Sequence, residues 1–308
     1  MKVVFFGTPA FAVPSLLRAA SEPGFRVTLA VTQPDRAAGR HATPSPPPVA
    51  LAARDRGIPV LQPERLRNAP EVAALLRREA PDAIVVVAYG KILPPEILAI
   101  PPLGCVNVHG SLLPRHRGAS PVAAAILAGD PVTGVCTMRM TEGLDAGPVY
   151  LTRESPIAPE DDAATLSERL ARIGADLLVE TLHGIERGTL APRPQEGEAT
   201  YCRVIRRSDG DVDWSAPAAR ILRMLRAYTP WPGIHTFLAG GRVKILEARE
   251  GPPDRSRAPG EILGGNDARV VCGEGTTLRL DRVQREGRRP VSGEEFLRGL
   301  RGERFGNA

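Results

Sequence analysis

Lysine is nearly absent from this sequence. Lys2, Lys91 and Lys244 are the only three, and arginine supplies the remaining positive charge. Cysteine is scarce as well. Cys105, Cys136, Cys202 and Cys272 stand apart with no Cys-x-x-Cys pair. That spacing excludes a clustered zinc site and gives no disulfide framework, so all four are expected to be reduced and mostly structural. His41, His116, His183 and His235 are scattered, and no metal is expected. No apolar run approaches the roughly 20 residues of a membrane-spanning helix. The apolar start is broken by Pro9 too soon for a secretion signal, so a cytoplasmic chain with no membrane partner is expected. Glycines are also missing where a dinucleotide site needs them. Gly7-Thr8-Pro9-Ala10-Phe11-Ala12 follows the first apolar run with one glycine rather than three, and Pro9 removes an amide donor. It reads as a structural turn with proline opening a helix.

What is present suffices for a large core. The chain has 308 residues, 43% of them hydrophobic, a length that suggests two domains. Its charge is uneven. Residues 1–205 hold 21 basic and 21 acidic side chains, whereas residues 206–308 hold 19 and 14. A basic module beside a neutral one points to an anionic partner such as nucleic acid, and a solvated arginine face accounts for the same numbers.

Lys2 to Gly7 reads as a strand, residues 11–20 as a helix with Leu16 and Leu17 inward, and residues 25–32 as a second strand. After an irregular Pro-rich stretch, helical patterns occur at 49–57 and 70–80. The run AIVVVA at 83–88 is apolar enough for a parallel strand covered on both faces. A strand at 105–109, a helix at 118–128, a strand pair at 134–140 and 148–155, and a long helix at 162–187 follow. This alternation predicts an open, Rossmann-like doubly wound α/β sheet over residues 1–188. Residues 189–207, rich in Pro, Gly and Glu, read as a linker. Residues 208–308 begin with a helix at 216–227 and continue as short strand-like runs at 234–238, 242–248, 268–272 and 276–283, predicting a small OB-like β-barrel. Arg220, Arg223 and Arg226 make a basic stripe at helical spacing, either solvated or in contact with phosphate. Trp214 and Trp231 are candidates for base stacking, although Trp231, between Pro230 and Pro232, is expected in the core.

The informative stretch is NVHGSLLPRHRGASP, residues 107–121. Strand side chains alternate, so Asn107 and His109 share one face and Val106 and Val108 the other. The pair thus projects from the carboxyl end of a strand, where open α/β sheets bind ligands. An amide can donate to a carbonyl oxygen as negative charge develops there. An imidazole can take a proton from an attacking amine. Asp145, in TEGLDAGPV, is the candidate carboxylate to orient the imidazole. No G-x-S-x-G elbow surrounds Ser111, so direct transfer between two bound substrates is the simpler scheme. The same residues also fit a plain strand-end cap with Asp145 in a turn, and the residues alone leave both open.

NVHGSLLPRHRGASP resembles the signature of the folate-dependent formyltransferases, and GLDAGPV resembles their second motif. The resemblance implies that Asn107, His109 and Asp145 are the catalytic trio. It implies that Ser111, Leu112, Leu113 and Pro114 form the folate-binding segment, and that 10-formyltetrahydrofolate is the donor. FFGTPAFAVPSL, VTQPDRAAGR and DGDVDWSAPAARILRMLRAYTPWPG resemble segments of the methionyl-tRNA formyltransferase branch. They imply an initiator methionyl-tRNA acceptor, a role in translation initiation, and tRNA contacts from Arg36 and Arg40. Family members often continue that loop with glycine and lysines, whereas this chain has His41-Ala42-Thr43-Pro44. A monomer is expected. A sugar-nucleotide amine or glycinamide ribonucleotide is the alternative acceptor, and a non-enzymatic RNA-binding protein is the reading from another class.

Overall fold

The computed structural model describes residues 1–37, 44–239, 241–263, 268–298, 300 and 303–306. The chain divides into two compact units. The first comprises Met1–Val122, Pro131–Ile157 and Leu166–Arg203, and the second Ala123–Asp130, Ala158–Thr165 and Val204–Ala308.

Seven strands of the first unit form one sheet. From edge to edge they are Val149–Pro156, Val132–Arg139, Cys105–His109, Ala83–Val87, Lys2–Gly7, Arg26–Val31 and Val60–Leu61. The last five pair in parallel. Val132–Arg139 runs antiparallel to both of its neighbours. The pairing follows from the connections. Between the parallel strands the chain carries crossover segments containing helices such as Val13–Ser21 and Pro70–Glu79. Val132–Arg139 and Val149–Pro156 are joined by a short loop, which permits only an antiparallel return.

Every residue of Ala83–Val87 and of Cys105–His109 is buried, the pattern of strands covered on both faces. On one face Val4, Phe6, Leu29, Val31, Ile84 and Val86 meet Leu66, Val72, Leu76 and Ile97. Each such side chain contributes about 1.5–3 kcal/mol by leaving water. On the other face lies the helix Ala163–Glu186. A Cβ at its Gly174 would stand 2.8 Å from Val108 Cγ1 and 3.2 Å from Val135 Cγ1, so glycine allows the helix to rest directly on the sheet. Val108 is thereby turned toward the helix, and alternation turns Asn107 and His109 the other way.

In the second unit the strands Ile234–Leu238, Gly241–Gly251, Thr277–Arg285 and Arg269–Val271 pair antiparallel in that order, with Val291–Ser292 added to Thr277–Arg285. Isolated bridges from Phe237 to Gly306, Arg304 to Glu261 and Ile262 to Val270 link the outer strands and curl the sheet toward closure. Trp214 is buried, stacks on Phe305 at 5.4 Å, and donates its indole N–H to Thr236 Oγ1. It therefore packs the core and offers no face to a base. Trp231 corrects the expectation of burial, being 59% exposed. It stands in the turn between the helix Ala218–Ala227 and the first barrel strand, with more than half of its surface open to solvent. Of the arginine stripe, Arg226 is tied to the carbonyls of Ala158 and Asp161, while Arg220 is exposed.

Candidate active site

Asn107 and His109 lie at the carboxyl end of their strand, between Val86–Val87 on one side and Cys136–Met138 on the other. Both are nearly buried, at 8% and 5% exposed. Among the described residues the Asn107 side-chain amide has no hydrogen-bond partner. Its amide atoms keep some contact with solvent, unlike fully enclosed unpartnered groups such as Thr133 Oγ1. Its NH2 hydrogens are thus available donors at the strand end where ligands bind in such sheets.

The His109 ring is fixed from both sides. Its Nε2 lies 3.0 Å from the His116 carbonyl oxygen. A carbonyl only accepts, so Nε2 carries the proton and Nδ1 is the basic nitrogen of the neutral ring. Nδ1 faces Asp145 Oδ2 at 3.7 Å, a contact that becomes an ion pair when the ring is protonated. The same carboxylate oxygen accepts the Gly118 backbone N–H at 2.8 Å. Burial lowers the His109 pKa, and the Asp145 charge and the His116 hydrogen bond oppose that shift. The site therefore holds a neutral base beside a carboxylate ready to stabilise its cation. No thiol competes as nucleophile, because burial pushes Cys136 and Cys202 up and Cys105 and Cys272 to about 12.

Backbone geometry places these groups. His116 and Asp145 both adopt left-handed conformations, with φ of 56° and 46°. Non-glycine residues hold such angles only where their surroundings impose them. Here the His116 N–H donates to Thr200 Oγ1, and the Arg117 N–H to the Thr200 carbonyl. At Gly147 an added Cβ would collide with the Arg139 carbonyl oxygen, so only glycine lets the Asp145 loop return this close to the sheet.

The segment from Ser111 to Pro114 continues directly from His109. Ser111 is fully buried and donates its hydroxyl to the Arg115 carbonyl at 2.6 Å, closing the turn. Leu112 reaches the strand Val132–Arg139 at Gly134, which has no side chain in its way. Leu112 and Leu113 are half-buried and Pro114 is buried. Arg36 is exposed, and its Nη2 donates to Gln33 Oε1 at 2.9 Å. Gln33 in turn donates to the Tyr89 carbonyl, as does Thr8 Oγ1. Arg40 and His41-Ala42-Thr43 lie outside the described residues.

The motifs thus bring Asn107, His109 and Asp145 to one strand end. They did not point to His116, Gly118, Gln195 or Thr200, which hold that arrangement. The stretch carrying Gln195 and Thr200 has neither helical nor strand periodicity, and its partners lie dozens of residues away, so the only local signal was the glycine at 118. Among the described residues no group of three or more His, Cys, Asp or Glu side chains is placed to hold a metal ion.

Residues 1–182 match the formyl transferase family, and residues 204–301 match the formyl transferase C-terminal domain. The methionyl-tRNA formyltransferase of Caldanaerobacter subterraneus subsp. tengcongensis is 46% identical, over 97% of this chain and 97% of that protein. The methionyl-tRNA formyltransferase of Anaeromyxobacter sp. strain K is also 46% identical, over 99% of each. Among solved structures, the N-formyltransferase from Helicobacter canadensis, in complex with folinic acid and dTDP-3-aminofucose, shares the fold with a TM-score of 0.66. It is 16% identical, over 91% of this chain and 98% of that one. The unpartnered amide, the carboxylate-backed imidazole and this full-length likeness converge: the chain belongs to the formyl transferase family, in its methionyl-tRNA formyltransferase branch.

Proposed function

We propose that the protein transfers a formyl group from 10-formyltetrahydrofolate to the α-amino group of methionine esterified to initiator tRNA, in preparation for translation initiation. One observation carries the reading: the Asn107 amide, 8% exposed and without a hydrogen-bond partner among the described residues, stands two positions from a histidine whose basic nitrogen faces Asp145. A free donor at that place suits a formyl oxygen.

The donor supplies a formyl carbon bound to nitrogen. An α-amine has a pKa of about 7.7–8.0, so much of it is charged near neutrality and only the neutral form attacks. His109 takes the amine proton at Nδ1, directly or through one water. Asp145 stabilises the resulting imidazolium, and the His116 carbonyl keeps the ring from turning. Asn107 donates its NH2 to the formyl oxygen as negative charge grows there. The new N–C bond forms as the old one breaks, and His109 returns the proton to the departing nitrogen. The buried, protonated thiols support transfer without a covalent enzyme intermediate.

In this reading residues 1–188 perform the chemistry in the cytoplasm, residues 189–207 lead to the second unit while their 193–202 stretch packs against the site, and residues 208–308 hold the tRNA body with their excess of basic side chains. Ser111, Leu112, Leu113 and Pro114 shape the folate side of the site. Arg36 and Arg40 contact acceptor-stem phosphates, and the protein acts as a monomer. The test is an assay with labelled formyl donor and four arms: initiator methionyl-tRNA, elongator methionyl-tRNA, a sugar-nucleotide amine and no acceptor. Label on the initiator species alone is expected. Label on the sugar, or formate released without acceptor, contradicts the proposal.

A further inference from the structure

The carboxylate that faces His109 sits on a loop without regular structure, and one distant side chain grips that loop. Gln195 Nε2 donates to the Asp145 carbonyl at 2.7 Å and to the Gly147 carbonyl at 2.8 Å. Its Oε1 accepts from Arg117 Nε at 3.1 Å and from Arg117 Nη2 at 2.7 Å. Both hydrogens and both lone pairs of this amide are therefore engaged, its full capacity. The two carbonyls bracket Ala146 and so define the turn on which Asp145 holds its left-handed backbone.

The other end of the grip matters equally. Arg117 lies between His116, whose carbonyl holds His109 Nε2, and Gly118, whose N–H holds Asp145 Oδ2. Gln195 thus joins the loop bearing the carboxylate to the segment that orients the imidazole. Neighbouring residues repeat the pattern. Arg193 and Val149 exchange backbone hydrogen bonds at 2.8 Å, and the Cys202 carbonyl accepts the Ala119 N–H. Residues 193–202 form a strap over both sides of the His109–Asp145 pair.

We propose that Gln195 is a positioning residue for formyl transfer, setting the Asp145 carboxylate against His109 by bracketing the 145–147 turn and locking it to Arg117. The proposal rests on the reading of His109 as the base with Asp145 as its partner. Gln195 touches no reacting atom, and it acts through Asp145.

The test uses the full-length enzyme with Gln195→Leu, which removes all four hydrogen bonds at similar volume, and Gln195→Glu, which keeps acceptors for Arg117 but sets an oxygen against the two carbonyls. Both are expected to lower kcat by about 10–100-fold, the loss expected of a misplacement near 1 Å. The KM values for donor and methionyl-tRNA should stay within about threefold, which also reports a folded site. NMR titration of the His109 ring should give a lower midpoint in Gln195→Leu, because the opposing carboxylate has lost its place. His116, the other charged group acting on the ring, and the Cys202 thiol that donates to the His116 carbonyl are not substituted. A purely structural role would reduce the folded fraction and leave that midpoint alone. In a double-mutant cycle, Asp145→Asn with Gln195→Leu should be no slower than Asp145→Asn alone. Losses that multiply, a Gln195→Leu kcat within about threefold of the parent, or a fully active Gln195→Glu enzyme overturn the proposal. An Asp145→Asn enzyme with parental turnover would instead overturn the reading of the base on which it rests.

Discussion

His109 Nδ1 and Asp145 Oδ2 face each other across 3.7 Å while the opposite ring nitrogen is held by the His116 carbonyl. Burial keeps the ring neutral, and the carboxylate acts against that tendency. NMR titration of the free enzyme should place His109 below the ordinary histidine value of about 6.5. Asp145→Asn should move it lower still, since the charge that raises it is gone. The sign for stability follows. With a folded pKa below the unfolded one, the unfolded chain binds the proton first as pH falls. His109 therefore contributes stability above about 6.5 that is lost as pH drops through the window beneath it. A midpoint above 6.5 contradicts this account.

Gly147 is where the Asp145 loop meets the sheet, against the Arg139 carbonyl and with Met138 Cε 3.1 Å from the place a Cβ would take. Gly147→Ala should destabilise the protein by about 1–3 kcal/mol, the usual result of overpacking, and should slow formyl transfer because the loop must retreat. Denaturant unfolding and turnover check both. A variant as stable and as active as the parent would show that the close approach is unnecessary.

Much of this was legible beforehand. The apolar runs at 2–7 and 83–88 and the helical spacing at 70–80 and 162–187 are local signals, and strands at Lys2–Gly7 and Ala83–Val87 and helices at Pro70–Glu79 and Ala163–Glu186 follow them. Asn107 and His109 were readable because alternation along a single strand fixes their common face. Asp145 was recognisable from its motif, but its approach to His109 depends on the Gly118 N–H and on the left-handed turns at 116 and 145, which are tertiary facts. Residues 193–202 carry no periodicity, and their hydrogen bonds run to loops far away in sequence. Trp231 went astray because flanking prolines fix a turn and say nothing about what packs over it.

Arg36 is exposed and steadied by Gln33. If it contacts a phosphate, Arg36→Ala should weaken initiator tRNA binding and reduce the slope of log affinity against log salt by about one, leaving donor binding unchanged. Filter binding across a salt series measures this. An unchanged slope removes Arg36 from the interface.

The most direct test of the central claim is the single-turnover rate of formyl transfer to initiator methionyl-tRNA by Asn107→Ala at saturating donor. Loss of an oxyanion donor should slow it by about 10²–10³-fold with substrate affinities little changed. A rate within about threefold of the parent enzyme would show that the Asn107 amide does not stabilise the reacting oxygen and would contradict the mechanism.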